Sequence, residues 1–219
     1  MTQTQSLDEA TRLRGETKAA SSDIMMGMGV RMSFAKDEEI YGQDEDADLI
    51  YRVISGVVRT TRIMSDGRRQ IGGFYYSDEM FGVEPDGRHR FSAEALCDCS
   101  ILVVKASALH AVAGDGAFGR LTWAATNREL DRAQDHLLLL GRKTAAERVA
   151  SFLLDLSTRR ATEAVTLPMG RQDMADYLGL TIETVSRMLT QLQSAMVVEF
   201  ASTRSFRICN RSALVRMAQ

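Results

Sequence analysis

The chain lacks any run of about 18 apolar residues, the length a membrane-spanning helix needs, so no span is expected. Its opening stretch, MTQTQSLDEATRLRGETKAA, has no apolar segment of the kind a secretory signal requires. Segment 1–22 is polar and is expected to be disordered. Cysteine is scarce. Cys97, Cys99 and Cys209 cannot all pair with one another, and with no signal they fit a reducing cytoplasm, the expected location. No GxSxG, HExxH, P-loop or paired-carboxylate pattern occurs, and no length is left for a separate catalytic domain, so an enzyme is not expected. His89, His110 and His136 show no metal-ligand spacing. No metal and no cofactor are expected.

What is present is 219 residues with 45% hydrophobic and 26% charged side chains, enough for a real core. The net charge of −2 hides an uneven distribution. Residues 1–140 carry 16 Lys+Arg against 22 Asp+Glu, and residues 141–219 carry 11 against 7, a surplus of +4. Surface charge is usually only solvation, but a basic C-terminal part is the one that would face nucleic-acid phosphates.

Three zones follow one another. Residues 23–116 read as β structure, with short apolar runs at 49–54, 57–63, 70–76 and 93–104, glycines between them, and an Asp66-Gly67 hairpin turn. Many short strands suggest a small barrel or jelly roll. Residues 117–141 read as a helix whose seam carries Trp123, Leu130, Ala133, Leu137 and Leu140. This seam lies either on the chain's own β domain or on a second copy. From Trp123 onward neither glycine nor proline intervenes until Gly141, a candidate hinge or C-cap. Residues 142–219 open with an amphipathic helix lined by Ala146, Val149, Ala150, Leu153 and Leu154, with Glu147, Arg148 and Asp155 turned away.

The informative stretch is Arg171 to Gln191, RQDMADYLGLTIETVSRMLTQ. Small Ala175 at the fifth position lets two helices approach closely. Gly179 at the ninth permits a left-handed turn, and Val185 and Met188 seat a second helix on the first. Thr181 suits the N-cap of that helix and Glu183 the positive end of its dipole. Ile182, Glu183, Ser186 and Arg187 are left outward near the N-terminus. Arginine can donate twice to guanine, glutamate can accept from cytosine N4, and serine can serve several bases. A surface Glu–Arg pair four residues apart is the ordinary alternative on any helix. Segments 196–200 and 205–208 flank a polar turn at 201–204, which predicts a wing.

With LPMGRQDMADYLGLTIETVSRMLTQLQ in view, nearly the whole chain resembles the cAMP receptor protein/FNR superfamily of bacterial transcription regulators. Glu183, Ser186 and Arg187 resemble the FNR-type reading head; the cAMP receptor type has Gly before the Arg. Gly72-Gly73-Phe74-Tyr75-Tyr76, Phe81-Gly82 and residues 136–154, HLLLLGRKTAAERVASFLL, resemble FNR as well, and the FixK branch most of all. The resemblance implies an α+β chain: an N-terminal cyclic-nucleotide-binding-type β roll, a long dimerisation helix and a C-terminal winged helix-turn-helix. It implies base contacts by Glu183, Ser186 and Arg187. Phosphate contacts are implied for Arg171, Gln172, Thr181 and Thr184, and for Thr203 or Arg204 in the wing. It further implies a homodimer on double-stranded DNA at a palindrome like TTGAT-N4-ATCAA, contact with RNA polymerase, and activation of microaerobic, nitrogen-fixation or respiration genes.

Two effectors of the superfamily are not expected. In the cAMP receptor pattern a Gly-Glu pair and an Arg-Ser pair hold the nucleotide, but Val83 stands where Glu is expected and Phe91 where Arg is expected. Glu84 or Arg90 could replace them only through a register shift. An FNR-type iron–sulfur cluster needs four cysteines, and the chain has three, with none before Cys97. If Cys97 and Cys99 share a strand, their thiols point the same way and could form a redox pair; small buried hydrophobes are the commoner use. An unidentified small molecule or thiol oxidation in the β roll remains the alternative control.

Overall fold

The run at 49–54 does not alternate in polarity, and the computed structural model shows the reason. It describes residues 24–159 and 164–219; the N-terminal segment 1–22 lies outside the described residues. A helical turn at 24–28 (α1) precedes eight strands: β1 Val30–Phe34, β2 Glu39–Tyr41, β3 Leu49–Ser55, β4 Val58–Ile63, β5 Arg69–Tyr75, β6 Met80–Phe81, β7 Ser92–Ala95 and β8 Cys99–Lys105. They form two four-stranded sheets, ordered β1-β8-β3-β6 and β2-β7-β4-β5. Along β3 and β8 alternate side chains serve different cores. Tyr51, Val53, Ile101 and Val103 pack with Phe34, Tyr41, Tyr75 and Phe81 from both sheets. Ile50, Leu102 and Val104 pack with Met25 of α1 and with Leu109 and Leu121 of the helix that follows. A strand covered on both faces reads as a continuous apolar run.

Two local expectations change. The stretch 93–104 is two strands, and Cys97 falls in the turn between β7 and β8, so Cys97 and Cys99 do not share a strand. The buried Cys99 thiol donates to Val57 O at 3.3 Å, and burial, with Cys97 beside it, pushes its pKa up to about 11. That favours the inert small hydrophobe over the redox thiolate. Gly141 is neither hinge nor cap. Helix α2, Ala106–Arg142, runs through it, and the break lies at Gly114, where φ is 71°. A left-handed residue there is cheap only for glycine.

The chain divides into two compact units: residues up to Arg59 with Phe74–Asp131, and Thr60–Gly73 with Arg132–Gln219. In the second, α3 spans Ala145–Thr158, β9 Val165–Thr166, α4 Arg171–Leu178, α5 Ile182–Ser194, β10 Val198–Ser202, β11 Ser205–Ile208 and α6 Arg211–Met217. Helix α3 starts at a capping box: Glu147 N donates to the Thr144 hydroxyl and Thr144 N to the Glu147 carboxylate at 2.7 Å. The wing is three-stranded, β10-β11-β9, and its turn is only Thr203–Arg204. Val149, Leu153, Met174, Ala175, Leu178, Val185, Leu189, Leu192, Phe206 and Leu214 are the buried side chains of this second unit's helices and wing. No helix of the described residues is long and apolar enough to cross a membrane.

One buried group is left unserved. His89 is 1% exposed and stacked on Tyr41 with ring centroids 3.6 Å apart, and among the described residues neither ring nitrogen has a hydrogen-bond partner. Burial holds its pKa below the ordinary value of 6.5, against the pull of Glu45 and Asp48. The unfolded chain therefore binds a proton that the folded chain refuses. Stability present above about pH 6.5 is lost as pH falls through the folded value. His89→Phe keeps the stack and removes both orphaned nitrogens, each of which costs ~1–3 kcal/mol when buried unpaired. The variant should match or exceed the wild type in urea-unfolding midpoint at neutral pH and lose less of it on acidification to about pH 5. Parallel pH dependences for the two proteins would remove His89 as the cause.

Candidate nucleic-acid interface

Helix α4 ends where Gly179 takes φ 61°, ψ 41°, and its N–H returns to Ala175 O. The chain reverses, and Thr181 caps α5: its hydroxyl accepts from Thr184 N at 3.2 Å and lies 3.1 Å from the Thr184 hydroxyl. A side-chain N-cap of this kind is worth ~1 kcal/mol. Ala175 is fully buried, Val185 likewise and Met188 nearly so. They hold α5 on α4 in the manner the spacing predicted.

The outward face of α5 begins with Ile182, Glu183 and Arg187, all exposed, with Ser186 half-buried between them. The Glu183 carboxylate bonds its own backbone N–H and the Thr181 hydroxyl, which holds its pKa below the usual carboxylate range. It is thus an oriented anion at the positive end of a helix dipole. The ordinary alternative, a Glu183–Arg187 surface pair, is not formed: among the described residues Arg187 has no ion-pair partner. A guanidinium and a carboxylate, each kept open in the first two turns of one helix, make a donor and acceptor set suited to base edges.

The residues implied as phosphate contacts fall on the start of α4, the cap and first turn of α5, and the wing turn. Half-buried Arg171 opens α4, its guanidinium carbon 6.0 Å from the centre of the Phe200 ring of β10. Gln172 Nε2 donates to Asp176 Oδ1 at 2.7 Å. Thr181 and Thr184 are engaged in the cap, and Thr203 is exposed at the wing tip. Arg204 donates to Pro168 O at 2.8 Å, so it staples the wing turn to the segment entering α4 while staying exposed.

Sequence reasoning missed three features. Arg69, at the start of β5, donates to Asp176 and Asp173 of α4, both at 2.7 Å. Asp173 also accepts from Gly170 N and so caps α4. These carboxylates are about nine-tenths buried, and taking one partner out of a buried ion pair costs ~3–5 kcal/mol. His136 near the end of α2 stacks on Tyr177, and its Nε2 lies 2.7 Å from Tyr177 O. Arg148, expected to turn away, is half-buried, and among the described residues its side chain bonds only backbone carbonyls. No sequence signal marked Arg69. Arg148 and His136 fall within the stretch 136–154 quoted above, without a role.

On α2 the seam divides. Trp123, Leu130 and Leu137 are 70%, 53% and 71% exposed, joined by Leu138 and the exposed Ala133, while Leu121 is buried in the core of the β roll. Leu140 is different: its Cδ2 sits 3.3 Å from where a Cβ on Gly179 would lie.

In the β roll Arg90 and Glu84, the charged groups nearest in sequence to the missing nucleotide partners, are already engaged. Arg90 bonds Asp86 at 2.6 Å, and its Nε lies 3.7 Å from Glu84, whose carboxyl burial raises above its ordinary pKa. Val83 packs among apolar neighbours and Phe91 is half-buried. These residues do not fit an anionic nucleotide.

Comparison with known proteins agrees with this architecture. A Crp-like helix-turn-helix domain matches residues 147–217 and a cyclic nucleotide-binding domain residues 31–115. The nitrogen fixation regulation protein FixK of Azorhizobium caulinodans is 47% identical over 215 residues, 95% of this chain and 87% of that protein. FixK of Rhizobium meliloti is 39% identical over 199 residues, 87% of this chain and 88% of that one. The structure of FixK2 from Bradyrhizobium japonicum superimposes with a TM-score of 0.84 at 47% identity, covering 88% of this chain and 98% of that one. The two-sheet N-terminal fold, the long helix and the capped helix-turn-helix with its wing are together those of the CRP/FNR family of DNA-binding transcription regulators, and this chain belongs to it as a FixK-like member.

Proposed function

We propose that two copies of the chain pair along the exposed α2 seam in the cytoplasm and read a palindrome like TTGAT-N4-ATCAA, activating transcription through RNA polymerase without a cyclic nucleotide, metal or iron–sulfur cluster. The observation that carries this reading is the open triad on α5: Glu183 and Arg187 face outward and do not neutralise each other. Arg187 is assigned to the guanine of each half-site and Glu183 to the cytosine paired with it, with Ser186 beside them. Arg171, Gln172, Thr181, Thr184, Thr203 and Arg204 supply the surrounding phosphate contacts. Because the relatives are named as regulators of nitrogen fixation, genes of nitrogen fixation, microaerobic life and respiration are the proposed targets.

The dimer rests on Trp123, Leu130, Ala133 and Leu137, with Leu140 at the lower end. Three large apolar side chains seven residues apart, more than half exposed, form a stripe that one copy leaves in water. Leu130→Asp combined with Leu137→Asp should give a folded monomer that binds DNA poorly, since charges buried without partners cost several kcal/mol. Sedimentation showing an intact dimer would reject the seam.

Losing a bidentate arginine–guanine contact costs ~1–3 kcal/mol, and a symmetric dimer loses it twice. Arg187→Ala should therefore weaken specific binding by roughly two to four orders of magnitude and nonspecific binding far less. Ser186→Gly should relax preference at the outer thymines while the guanine preference persists. Titration against every single-base half-site variant at fixed salt checks both. An unchanged penalty for replacing the guanine in Arg187→Ala would refute the assignment.

Aerobically purified protein should be colourless and bind its palindrome without cAMP. A cAMP-dependent gain of roughly tenfold (about 1.4 kcal/mol) or stoichiometric iron and sulfide would overturn that part of the reading.

A further inference from the structure

The last turns of α2, the start of α3 and the C-terminus of α4 meet at one side chain. Arg148 Nη2 donates to Leu140 O at 2.7 Å, Nε to Lys143 O at 2.9 Å and Nη1 to Leu178 O at 2.9 Å, with Gly179 O at 3.5 Å. Each helix leaves its last carbonyls without intrahelical donors and carries partial negative charge there. Here two helix ends converge on one cation, and the planar fork of a guanidinium can serve both at once. No carboxylate pairs with Arg148 among the described residues.

Two further contacts lock the same joint. His136 of α2 stacks on Tyr177 with centroids 4.3 Å apart and planes 10° from parallel, and its Nε2 meets Tyr177 O. The carbonyls of Tyr177 and Leu178 are thus held by His136 and Arg148 respectively. At Gly179 an added Cβ would lie 3.3 Å from Leu140 Cδ2 and 3.4 Å from Arg148 Nη1. The turn that aims α5 is therefore seated directly on the end of the long helix.

We infer that Arg148 is a positioning residue that sets which half-site spacing the protein accepts, by welding the turn before α5 to the end of α2. The inference rests on the proposed pairing along α2. If two copies pair there, the angle between each α2 and its α5 fixes the separation of the two reading faces, and Arg148 fixes that angle. Removing the fork leaves each face able to dock on a half-site but no longer at one set distance from its twin.

The test is binding of the full-length protein to duplexes carrying TTGAT and ATCAA separated by three, four, five or six base pairs, and to a duplex with a single half-site. The wild type should prefer one spacing by about tenfold or more, the size of effect that one misdirected contact face produces. Arg148→Ala should lose most of that preference while its single-half-site affinity changes by less than about threefold. Arg148→Lys, which keeps charge and stem but not the fork, should fall between them and covers the case in which the alanine variant does not fold. His136→Phe, which keeps the stack and loses the bond to Tyr177 O, should move in the same direction by less. Equal losses on every spacing and on the single half-site would show a merely structural role, and an unchanged spacing preference would show none; either overturns the inference. A wild type that ignores the TTGAT half-site overturns the proposed function and this inference with it, whereas a wild type that selects a spacing equally well with Arg148→Lys and Arg148→Ala overturns this inference alone.

Discussion

The left-handed residue at Gly179 is the constraint around which the C-terminal unit is arranged. A positive φ lets α4 stop and the chain turn within three residues, so that Thr181 can cap α5 at once. The missing side chain also lets Leu140 and Arg148 approach within van der Waals distance of the turn. Any other residue there would strain the backbone and push on two neighbours together. The burial of Ala175, Val185 and Met188, the outward direction of Glu183 and Arg187, and the carbonyl contacts of Arg148 all follow from a turn this tight.

Charge is managed by the same economy. Helix α4 carries two carboxylates, Asp173 and Asp176, in the more basic part of the chain. Asp173 serves Gly170 N as a cap, Asp176 holds Gln172, and Arg69 neutralises both. Glu183 is the anion left open, held ionised by its own N–H and Thr181. On the same helix Arg187 is left open among the described residues, while Arg204 and Arg148 are occupied with backbone carbonyls. Directional recognition needs groups that folding has not already satisfied, and on α5 these two remain.

The β roll is built around an aromatic interior. Tyr41, Tyr51, Tyr75 and Phe81 cluster inside it with ring separations of 5.1–6.1 Å, and His89 stacks on Tyr41 with no hydrogen-bond partner for its ring nitrogens among the described residues. Arg90 and Glu84 sit near each other, with Arg90 also bonded to Asp86. An interior of this kind stabilises the sheets by burial and has little to offer a phosphate.

The helix-turn-helix, its cap and its outward triad were legible in the sequence because each is local: Ala175, Gly179, Thr181, Glu183, Val185 and Arg187 lie within thirteen consecutive positions, and helical periodicity decides which side each takes. The β roll was legible as a class from its short apolar runs and the Asp66-Gly67 turn, but its division was not. Whether 93–104 is one strand or two depends on pairing with β2, β4, β1 and β3, which no local pattern encodes. Gly141 looked like a stop because glycine often is one, yet helix α2 continues through it to Arg142, and the break falls instead at Gly114, in the stretch Gly114-Asp115-Gly116. Arg148 and Arg69 carry the same lesson. Composition marks an arginine as a surface cation, and only the meeting of helix ends distant in sequence, or of β5 with α4, makes one a half-buried donor to carbonyls and the other a partner for two aspartates. Short-range sterics and hydrogen bonding therefore wrote the second helix of the helix-turn-helix into the sequence, while the partners of long, flexible charged side chains were decided by tertiary structure, because their reach exceeds the range over which sequence neighbours constrain them.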